Sequence, residues 1–176
     1  VANFPFIINI SPLYFQHPRF IEELNHALAC HNLSPQDIQI EITEGVFLER
    51  VDHTISKLST LRELGFSVSV DDFGTGYSSL SYLKDLPVDK IKIDSSFVRQ
   101  IAGDKAIIGL SHHLGLKVVA EGVETEAQYW FLKRHFCDEF QGHLFARAMP
   151  MDKLEAQLRE KGGVEALPTA PETDLA

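Results

Sequence analysis

Cysteine is scarce in this sequence, and long apolar runs are absent. The two cysteines among 176 residues, Cys30 and Cys137, are far apart, and neither belongs to a CxxC pair. This excludes a disulfide framework, and it predicts two free thiols in a reducing, cytoplasmic compartment. No segment reaches the roughly 18 consecutive apolar residues of a transmembrane helix. We therefore expect no membrane contact from this chain itself, while a membrane anchor elsewhere in a parent protein stays open.

Positive charge is also in short supply. The chain has 16 lysines and arginines against 25 aspartates and glutamates, which gives a formal net charge of −9. This balance argues against a DNA or RNA binder, because such proteins neutralise the phosphate backbone with cationic side chains. An acidic protein can still bind a phosphate ligand where metal ions neutralise the site. HExxH and GxSxG signatures are missing, and Gly74-Thr75-Gly76 lacks the third glycine of a dinucleotide fingerprint.

Apolar strands alternate with amphipathic helices along the chain, which predicts an α/β fold. We predict strands at residues 6–10, 37–42, 67–72, 89–94, 116–120 and 140–141, and helices at 18–29, 51–64, 78–86, 97–114, 125–135 and 151–160. Residues 1–160 then form one domain, and the polar tail at 161–176 is expected to be disordered. The start at Val1 has no initiator methionine, which predicts a piece of a longer chain.

Repeated strand–helix units predict a parallel sheet, either doubly wound or closed into a (β/α) barrel. A doubly wound sheet concentrates its chemistry at one switch point, whereas a barrel collects it from many strand ends on one rim. Polar residues at the strand ends therefore favour the barrel. Each could bind a metal ion or a phosphate: Asn9, Glu41, Asp71 with Asp72, Lys92, Glu121 and Gln141.

The strand end at Asp71 and Asp72 carries the strongest chemical signal. Neighbouring side chains of a strand point to opposite faces, so both carboxylates can face one site only where the backbone turns. Gly74 and Gly76 are expected to supply that turn. Carboxylate and amide oxygens suit Mg²⁺ or Mn²⁺, and two such ions can activate water for phosphoryl chemistry. A solvated turn that caps a helix explains the same residues without a metal.

The other strand-end residues also have structural explanations. Asn9 precedes a Ser-Pro pair and suits a turn, whereas Glu41 could belong to a salt bridge. Lys92 could pair with an aspartate inside the barrel. Either Glu121 or Glu124 could cap the helix that follows them. The residues alone leave these alternatives open.

Six motifs in order resemble the EAL domain family: Asn9-Ile10-Ser11, Glu41-Ile42-Thr43-Glu44, Asp71-Asp72-Phe73-Gly74-Thr75-Gly76, Lys92-Ile93-Asp94, Ala120-Glu121-Gly122-Val123-Glu124 and Gln141-Gly142. Members of this family are cyclic di-GMP phosphodiesterases. The resemblance covers nearly the whole chain and implies a TIM-like (β/α) barrel that opens cyclic di-GMP to linear pGpG. It also implies two Mg²⁺ or Mn²⁺ ions per site, which generate the attacking hydroxide.

The resemblance implies a role for each matched residue. Lys92 would orient the attacking water, and Glu121 would act as general base. Gln141 would lie beside the site as a substrate-binding residue, and Glu44 would hold the loop at 72–79 in its productive shape. The same loop implies a homodimer. The implied metal ligands are Asn9, Glu41, Asp71, Asp72 and Glu121.

Two departures from the family pattern are visible. The Glu-Ala-Leu signature, which supplies a metal ligand in the family, is missing because the chain starts downstream of it. This predicts a barrel that is incomplete at its N-terminus, with uncovered apolar strand faces. The segment at 101–107 also looks shorter than the family's loop. The alternative to an active phosphodiesterase is a catalytically inactive cyclic di-GMP receptor or a protein-interaction module.

Overall fold

The computed structural model describes residues 5–47, 51–74, 86–99 and 104–161. Within these ranges lie six strands: β1 Phe6–Ile10, β2 Ile38–Thr43, β3 Ser67–Phe73, β4 Lys90–Ile93, β5 Lys117–Ala120 and β6 Glu139–Phe140. The α-helices of the same ranges are α1 Pro12–Gln16, α2 Phe20–His31, α3 Val51–Glu63, α4 Ser95–Arg99, α5 Asp104–His113, α6 Glu126–Arg134 and α7 Met151–Lys161. Two short 3-10 helices, Pro35–Asp37 and Glu44–Phe47, flank β2.

All six strands are parallel, and each pairs with the next strand in the chain. An order that never reverses has no switch point, as in a (β/α) barrel and unlike a doubly wound sheet. Among the described strands, β1 pairs only with β2 and β6 only with β5, so the sheet is an open half-barrel. On β1, Phe6 is 59% and Ile7 is 50% exposed. The predicted α/β architecture and the uncovered strand face are both confirmed.

The two faces of the sheet differ in polarity, and this difference places the site. One face packs against the helices through β-branched side chains such as Ile40 and Ile91, which are fully buried. The opposite face carries polar side chains, with Asn9, Glu41 and Ser69 in register across β1, β2 and β3. The hydrophobic core therefore lies between sheet and helices, and the polar face is left for chemistry.

Two aspartates that we predicted inside strands lie just before them. Asp37 precedes β2, and its carboxylate accepts a hydrogen bond from the Ser34 N–H at 2.8 Å. Asp89 precedes β4, and its carboxylate accepts from the Val68 N–H of β3 at 2.8 Å. Short carboxylates compete for backbone N–H groups, which draws these residues out of the strand ladder.

Two helices differ from the prediction. In the helical stretch expected at 97–114, the described residues form α4 and α5, and α4 begins two residues earlier than expected, where the Asp94 carboxylate accepts the Ser96 N–H at 2.9 Å. The Ser11-Pro12 pair ends β1, as the strand predicted at 6–10 requires, and it also starts α1, a helix that the sequence patterns did not predict. Ser11 accepts the Tyr14 N–H at 3.2 Å as N-cap, and proline suits the first turn because its missing N–H is not needed there.

Several predictions fall on residues that the structure does not describe. They concern the helix at 78–86, most of the loop at 72–79, the first part of the 101–107 segment and the tail beyond residue 161. In the described part of the chain, Cys30 and Cys137 are free thiols, as predicted. No helix there combines the length and the apolarity that crossing a bilayer requires.

Candidate functional site

A bulge at the end of β3 turns two consecutive carboxylates, Asp71 and Asp72, toward one site. The pairing of β3 with β4 shifts register between Val70 and Phe73, and Asp72 inside that interval has a φ of 55°. This left-handed conformation is uncommon outside glycine, and it breaks the side-chain alternation of a regular strand. The turn that we expected from the glycines therefore begins at Asp72 itself, and Gly74 continues it with a φ of 94°.

The third carboxylate belongs to Glu121, the residue that follows β5. Its backbone N–H donates to the Ile93 carbonyl at 3.1 Å. Carboxylate oxygens of Asp71, Asp72 and Glu121 lie within 4.8 Å of one another. We call these three residues the carboxylate cluster. The structure thus brings together three of the five predicted metal ligands.

Lys92 lies among these acids on β4. Its side chain is 4% exposed, and its Nζ lies 2.7 Å from Glu41 Oε2 and 3.1 Å from Asp71 Oδ1. The same ammonium group forms an ion pair with Glu121. Burial alone would lower the pKa of Lys92, but hydrogen bonds to Glu121 and Glu41 outweigh burial and raise the pKa above its ordinary value. Lys92 is therefore positively charged at neutral pH.

Glu41 and Asn9 offer two further oxygens on the same face of the sheet. Glu41 is 3% exposed, and its Oε2 accepts from Lys92. Its Oε1 is buried and has no hydrogen-bond partner within the described residues. A buried carboxylate oxygen without a donor is costly, and a bound cation would satisfy it. Asn9 is exposed and stands in register with Glu41 on β1.

Crowding shifts the titration of the cluster. Burial raises the pKa of Asp72, and the negative charges of Asp71 and Asp94 add to this effect against the opposing charge of Lys92. Burial also raises the pKa of Glu121, although its hydrogen bond to Lys92 acts in the opposite direction. The positive charge around these acids does not compensate their negative charge, and an added cation would favour their charged forms.

The donor set fits a divalent metal ion. It consists of carboxylate oxygens and one amide oxygen, which are the ligands that hard cations such as Mg²⁺ and Mn²⁺ prefer. A positive charge in addition to that of Lys92 would stabilise both the buried Glu41 Oε1 and the crowded carboxylate cluster. The residues that could hold such an ion are Asn9, Glu41, Asp71, Asp72 and Glu121.

A cavity of about 480 Å³ opens beside Glu121. Gln141 contributes to its lining, which agrees with the position expected beside the site. The backbone N–H of Gln141 donates to the Ala120 carbonyl at 2.8 Å, so the end of β5 fixes its place. Arg147 is the only lysine or arginine between residues 140 and 150. This isolated positive charge in the sequence could have identified Arg147 as a candidate lining residue. Lining residues that the motifs did not single out are Ser95, His143, Ala146, Arg147 and Ala148.

A threonine caps α6, so the capping explanation for the neighbouring glutamates is wrong. Thr125 Oγ1 accepts the Gln128 N–H at 3.3 Å. In return, Gln128 Oε1 accepts the N–H groups of Glu124 at 2.9 Å and Thr125 at 3.0 Å. This capping box leaves Glu121 in the carboxylate cluster and Glu124 at the rim of the cavity.

Glu44 is not a member of the carboxylate cluster. It begins the 3-10 helix after β2 and is 7% exposed. That helix packs against β3 and α1. The loop that Glu44 is expected to hold lies mostly outside the described residues, so this role stays a prediction.

Comparison with known proteins identifies the family. The sequence matches the EAL domain over residues 2–148. This chain belongs to the EAL domain family. The match includes all the site residues described above, and the resemblance drawn from the six motifs is confirmed.

Two similar proteins come from Pseudomonas aeruginosa. The bifunctional diguanylate cyclase/cyclic di-GMP phosphodiesterase MucR is 42% identical over an alignment of 164 residues that covers 89% of this chain and 24% of MucR. The cyclic di-GMP phosphodiesterase NbdA is 46% identical over an alignment of 146 residues that covers 79% of this chain and 19% of NbdA. The chain thus spans about a quarter or less of the length of these curated relatives.

Solved EAL structures share the fold. The PaMucR phosphodiesterase in complex with c-di-GMP is 42% identical with a TM-score of 0.81, over 87% of this chain and 65% of that chain. BlrP1 of Klebsiella pneumoniae, solved with manganese and cyclic di-GMP, is 34% identical with a TM-score of 0.74. That match covers 83% of this chain and 39% of BlrP1. EAL domains therefore bind cyclic di-GMP and divalent cations in solved relatives.

Proposed function

We propose that this EAL domain hydrolyses cyclic di-GMP to linear pGpG with two divalent ions, Mg²⁺ or Mn²⁺, per site. The observation that carries the proposal is the carboxylate cluster, gathered within 4.8 Å at the ends of β3 and β5 with Lys92 against it. A phosphodiester is an anion, so a site this acidic needs cations to admit it. The phosphodiesterase activity in the names of MucR and NbdA supports the choice of substrate.

The proposed metal ligands come from four strands. The bulge at Asp72 presents the two aspartates from β3, and Glu121 reaches the same point from β5. Glu41 offers its buried Oε1, and Asn9 offers an amide oxygen from the neighbouring strand. When bound, the cations would supply the positive charge that activates water and neutralises the phosphodiester.

Two residues are proposed to handle the proton of the attacking water. Lys92 Nζ forms ion pairs with Glu41, Asp71 and Glu121, which match its three N–H donors. Lys92 orients the water by donating to it in place of one of these carboxylates. Glu121 accepts the water proton as general base, since its carboxylate faces the same site. Gln141, beside the cavity, contacts the nucleotide.

Hydrolysis of cyclic di-GMP tests this proposal. The full-length protein is expected to form pGpG only in the presence of Mg²⁺ or Mn²⁺, as followed by product chromatography. Asp71→Asn removes one charge from the carboxylate cluster at constant side-chain size. It is expected to lower kcat at least about 100-fold, because metal sites depend on each ligand. Asp138→Asn, at the opposite end of the sheet, is the matched control and is expected to keep its turnover.

Equal turnover by Asp71→Asn and the wild type would contradict the metal assignment. Cyclic di-GMP that binds in chelator, without turnover under any metal condition, would point instead to a receptor or a protein-interaction module. The homodimer through the loop after Asp72, the cytoplasmic location and the bracing role of Glu44 are further proposals that rest on the family resemblance. Sedimentation of the full-length protein measures the first of these.

A further inference from the structure

Two short helical segments directly follow the strands that carry Asn9 and Glu41. The N-cap of α1, Ser11, lies two residues after Asn9. The 3-10 helix begins at Glu44, three residues after Glu41. Segments of four or five residues do not recover the cost of helix nucleation by themselves. Their positions, and hence the directions of the two proposed ligands, depend on what packs against them.

Lys57 of α3 forms hydrogen bonds to the C-terminal end of α1. The residue is 9% exposed, and its Nζ donates to the carbonyls of Phe15 at 2.7 Å and His17 at 3.2 Å. The His17 carbonyl also accepts the Phe20 N–H at 3.2 Å. The Phe15 carbonyl lies in the last turn of α1 and has no partner within the helix, so the bond from Lys57 satisfies a group that otherwise needs water. Among the described residues, no carboxylate lies within 4.0 Å of this ammonium group. An ion pair therefore does not account for its burial there.

Thr54, one turn earlier on α3, connects both segments at once. It is fully buried, and its Oγ1 donates to the Val46 carbonyl of the 3-10 helix at 3.2 Å. The same oxygen accepts from Gln16 Nε2 of α1 at 3.1 Å. Residues three apart on a helix lie on one face, so Thr54 and Lys57 form a single polar contact surface.

We propose that Lys57 and Thr54 are positioning residues for the metal site. They hold the segments after β1 and β2 in a fixed relation, and thereby aim Asn9 and Glu41 at the same ion. This inference rests on the proposed function, because it takes Asn9 and Glu41 as metal ligands. Both residues act at a distance, since neither belongs to the carboxylate cluster.

The anchoring of α3 itself does not depend on these polar contacts. Leu58 and Leu61 of the same helix are fully buried in the hydrophobic core against the sheet. Removing the polar atoms of Lys57 or Thr54 should therefore loosen the two segments and leave α3 in place. A role confined to stability would lower the melting temperature and leave metal affinity unchanged, which separates the two explanations.

The test is the Mn²⁺ affinity of the full-length protein, read from the electron paramagnetic resonance signal of free Mn²⁺. Lys57→Met keeps the apolar stem and removes both donors, and we expect its Kd for Mn²⁺ to rise about 10-fold. Thr54→Val keeps the shape and removes the hydroxyl, with an expected rise of at least about threefold. Asp71→Asn measures binding at any other Mn²⁺ site of the protein. Turnover of both positioning variants should recover at saturating Mn²⁺.

Lys133→Met is the control, because Lys133 makes comparable contacts on α6. Its Nζ donates to Tyr129 Oη at 3.0 Å and lies 5.3 Å from the ring centroids of Tyr129 and Trp130. Its Kd for Mn²⁺ is expected to stay within about twofold of wild type, on the scale of scatter for surface changes.

Wild-type Kd values in folded Lys57→Met and Thr54→Val overturn the inference. If Lys57→Met does not fold, Thr54→Val decides alone. A wild-type protein that binds no more Mn²⁺ than Asp71→Asn overturns the proposed function, and this inference with it. Wild-type binding above that background, with both variants unaffected, overturns the positioning role alone.

Discussion

Acidic side chains occur at both ends of the sheet, but in opposite surroundings. At the amino ends, Asp89 and Asp138 immediately precede β4 and β6. Each carboxylate accepts, at 2.8 Å, the N–H of the second residue of the preceding strand, and each also contacts a side-chain nitrogen from a helix. The partners are Val68 and Arg62 for the first aspartate, and Val118 and His112 for the second.

At the carboxyl ends, Glu41, Asp71 and Glu121 converge on one ammonium group, that of Lys92. The pKa values follow this contrast. Burial raises the pKa of Asp138, but hydrogen bonds from His112 and Val118 outweigh it and leave the pKa lowered, whereas the pKa of Glu121 is raised. Acids at the amino ends therefore stabilise the fold, and acids at the carboxyl ends strain it where a ligand could bind.

The largest expected effect comes from Lys92, the cation that lies among the acids at the carboxyl ends. In Lys92→Met, Glu41 and Glu121 remain buried without compensation. We expect the free energy of unfolding of the metal-free protein to fall by about 3 kcal/mol at pH 7. Turnover is expected to fall at least about 100-fold. Because the pKa of Lys92 is raised, its contribution to the free energy of unfolding is fully present below pH 10.5 and is lost only as the pH rises through the folded pKa.

Lys90→Met provides the matched control on the same strand. Lys90 pairs with Glu139 at 2.7 Å, but the Glu139 side chain is 40% exposed. Water replaces such a partner, so the expected loss is below about 1 kcal/mol. Chemical denaturation of both variants without metal measures the difference. Equal losses would show that the two ends of β4 do not differ as we infer.

A smaller effect is expected at the amino end. Asp138→Asn weakens the bonds to Val118 and His112, and should lower the free energy of unfolding by about 1 kcal/mol at pH 6, with turnover intact. The folded pKa of Asp138 lies below its ordinary value of 3.8. The contribution is therefore present above that value and is lost as the pH falls through the folded pKa. Wild type and variant should converge as the pH falls through the folded pKa of Asp138, and a gap that stays constant throughout acid denaturation would contradict the assignment.

Sequence patterns predicted the fold and the gathering of acids for one physical reason. Parallel strands bring their carboxyl ends to one edge, so polar residues such as Glu41, Lys92 and Glu121 had to meet there. The left-handed conformation of Asp72 could not be predicted from the sequence, because aspartate tolerates this conformation but adopts it at only a small share of its positions. Lys57 also escaped prediction, since its partners lie 40 and 42 residues earlier in the chain. Such contacts follow from packing, which no short pattern encodes.

The smallest predicted effect concerns Phe136, at the amino end of the sheet. Four helices end with the same pair of backbone hydrogen bonds, in which the residue just past the helix has a positive φ. That residue is Asn32 after α2, Gly65 after α3 and Gly115 after α5, but it is Phe136 after α6, with a φ of 64°. Glycine and asparagine tolerate this conformation, whereas a bulky side chain is strained there. Since Phe136 is 78% exposed, little burial offsets the strain.

Phe136→Gly is therefore expected to raise the free energy of unfolding by about 0.5 to 1 kcal/mol, because relief of strain exceeds the added chain entropy of glycine. Gly115→Ala is the reciprocal control. A Cβ at Gly115 would meet nothing within 4 Å, so its expected loss of about 1 kcal/mol reflects φ alone. Urea denaturation of both variants measures the sign of each change in the free energy of unfolding. A stabilising Phe136→Gly with unchanged turnover would show that the amino end can be improved independently of the chemistry, whereas a loss of stability would show that the phenyl ring contributes more than its exposure indicates.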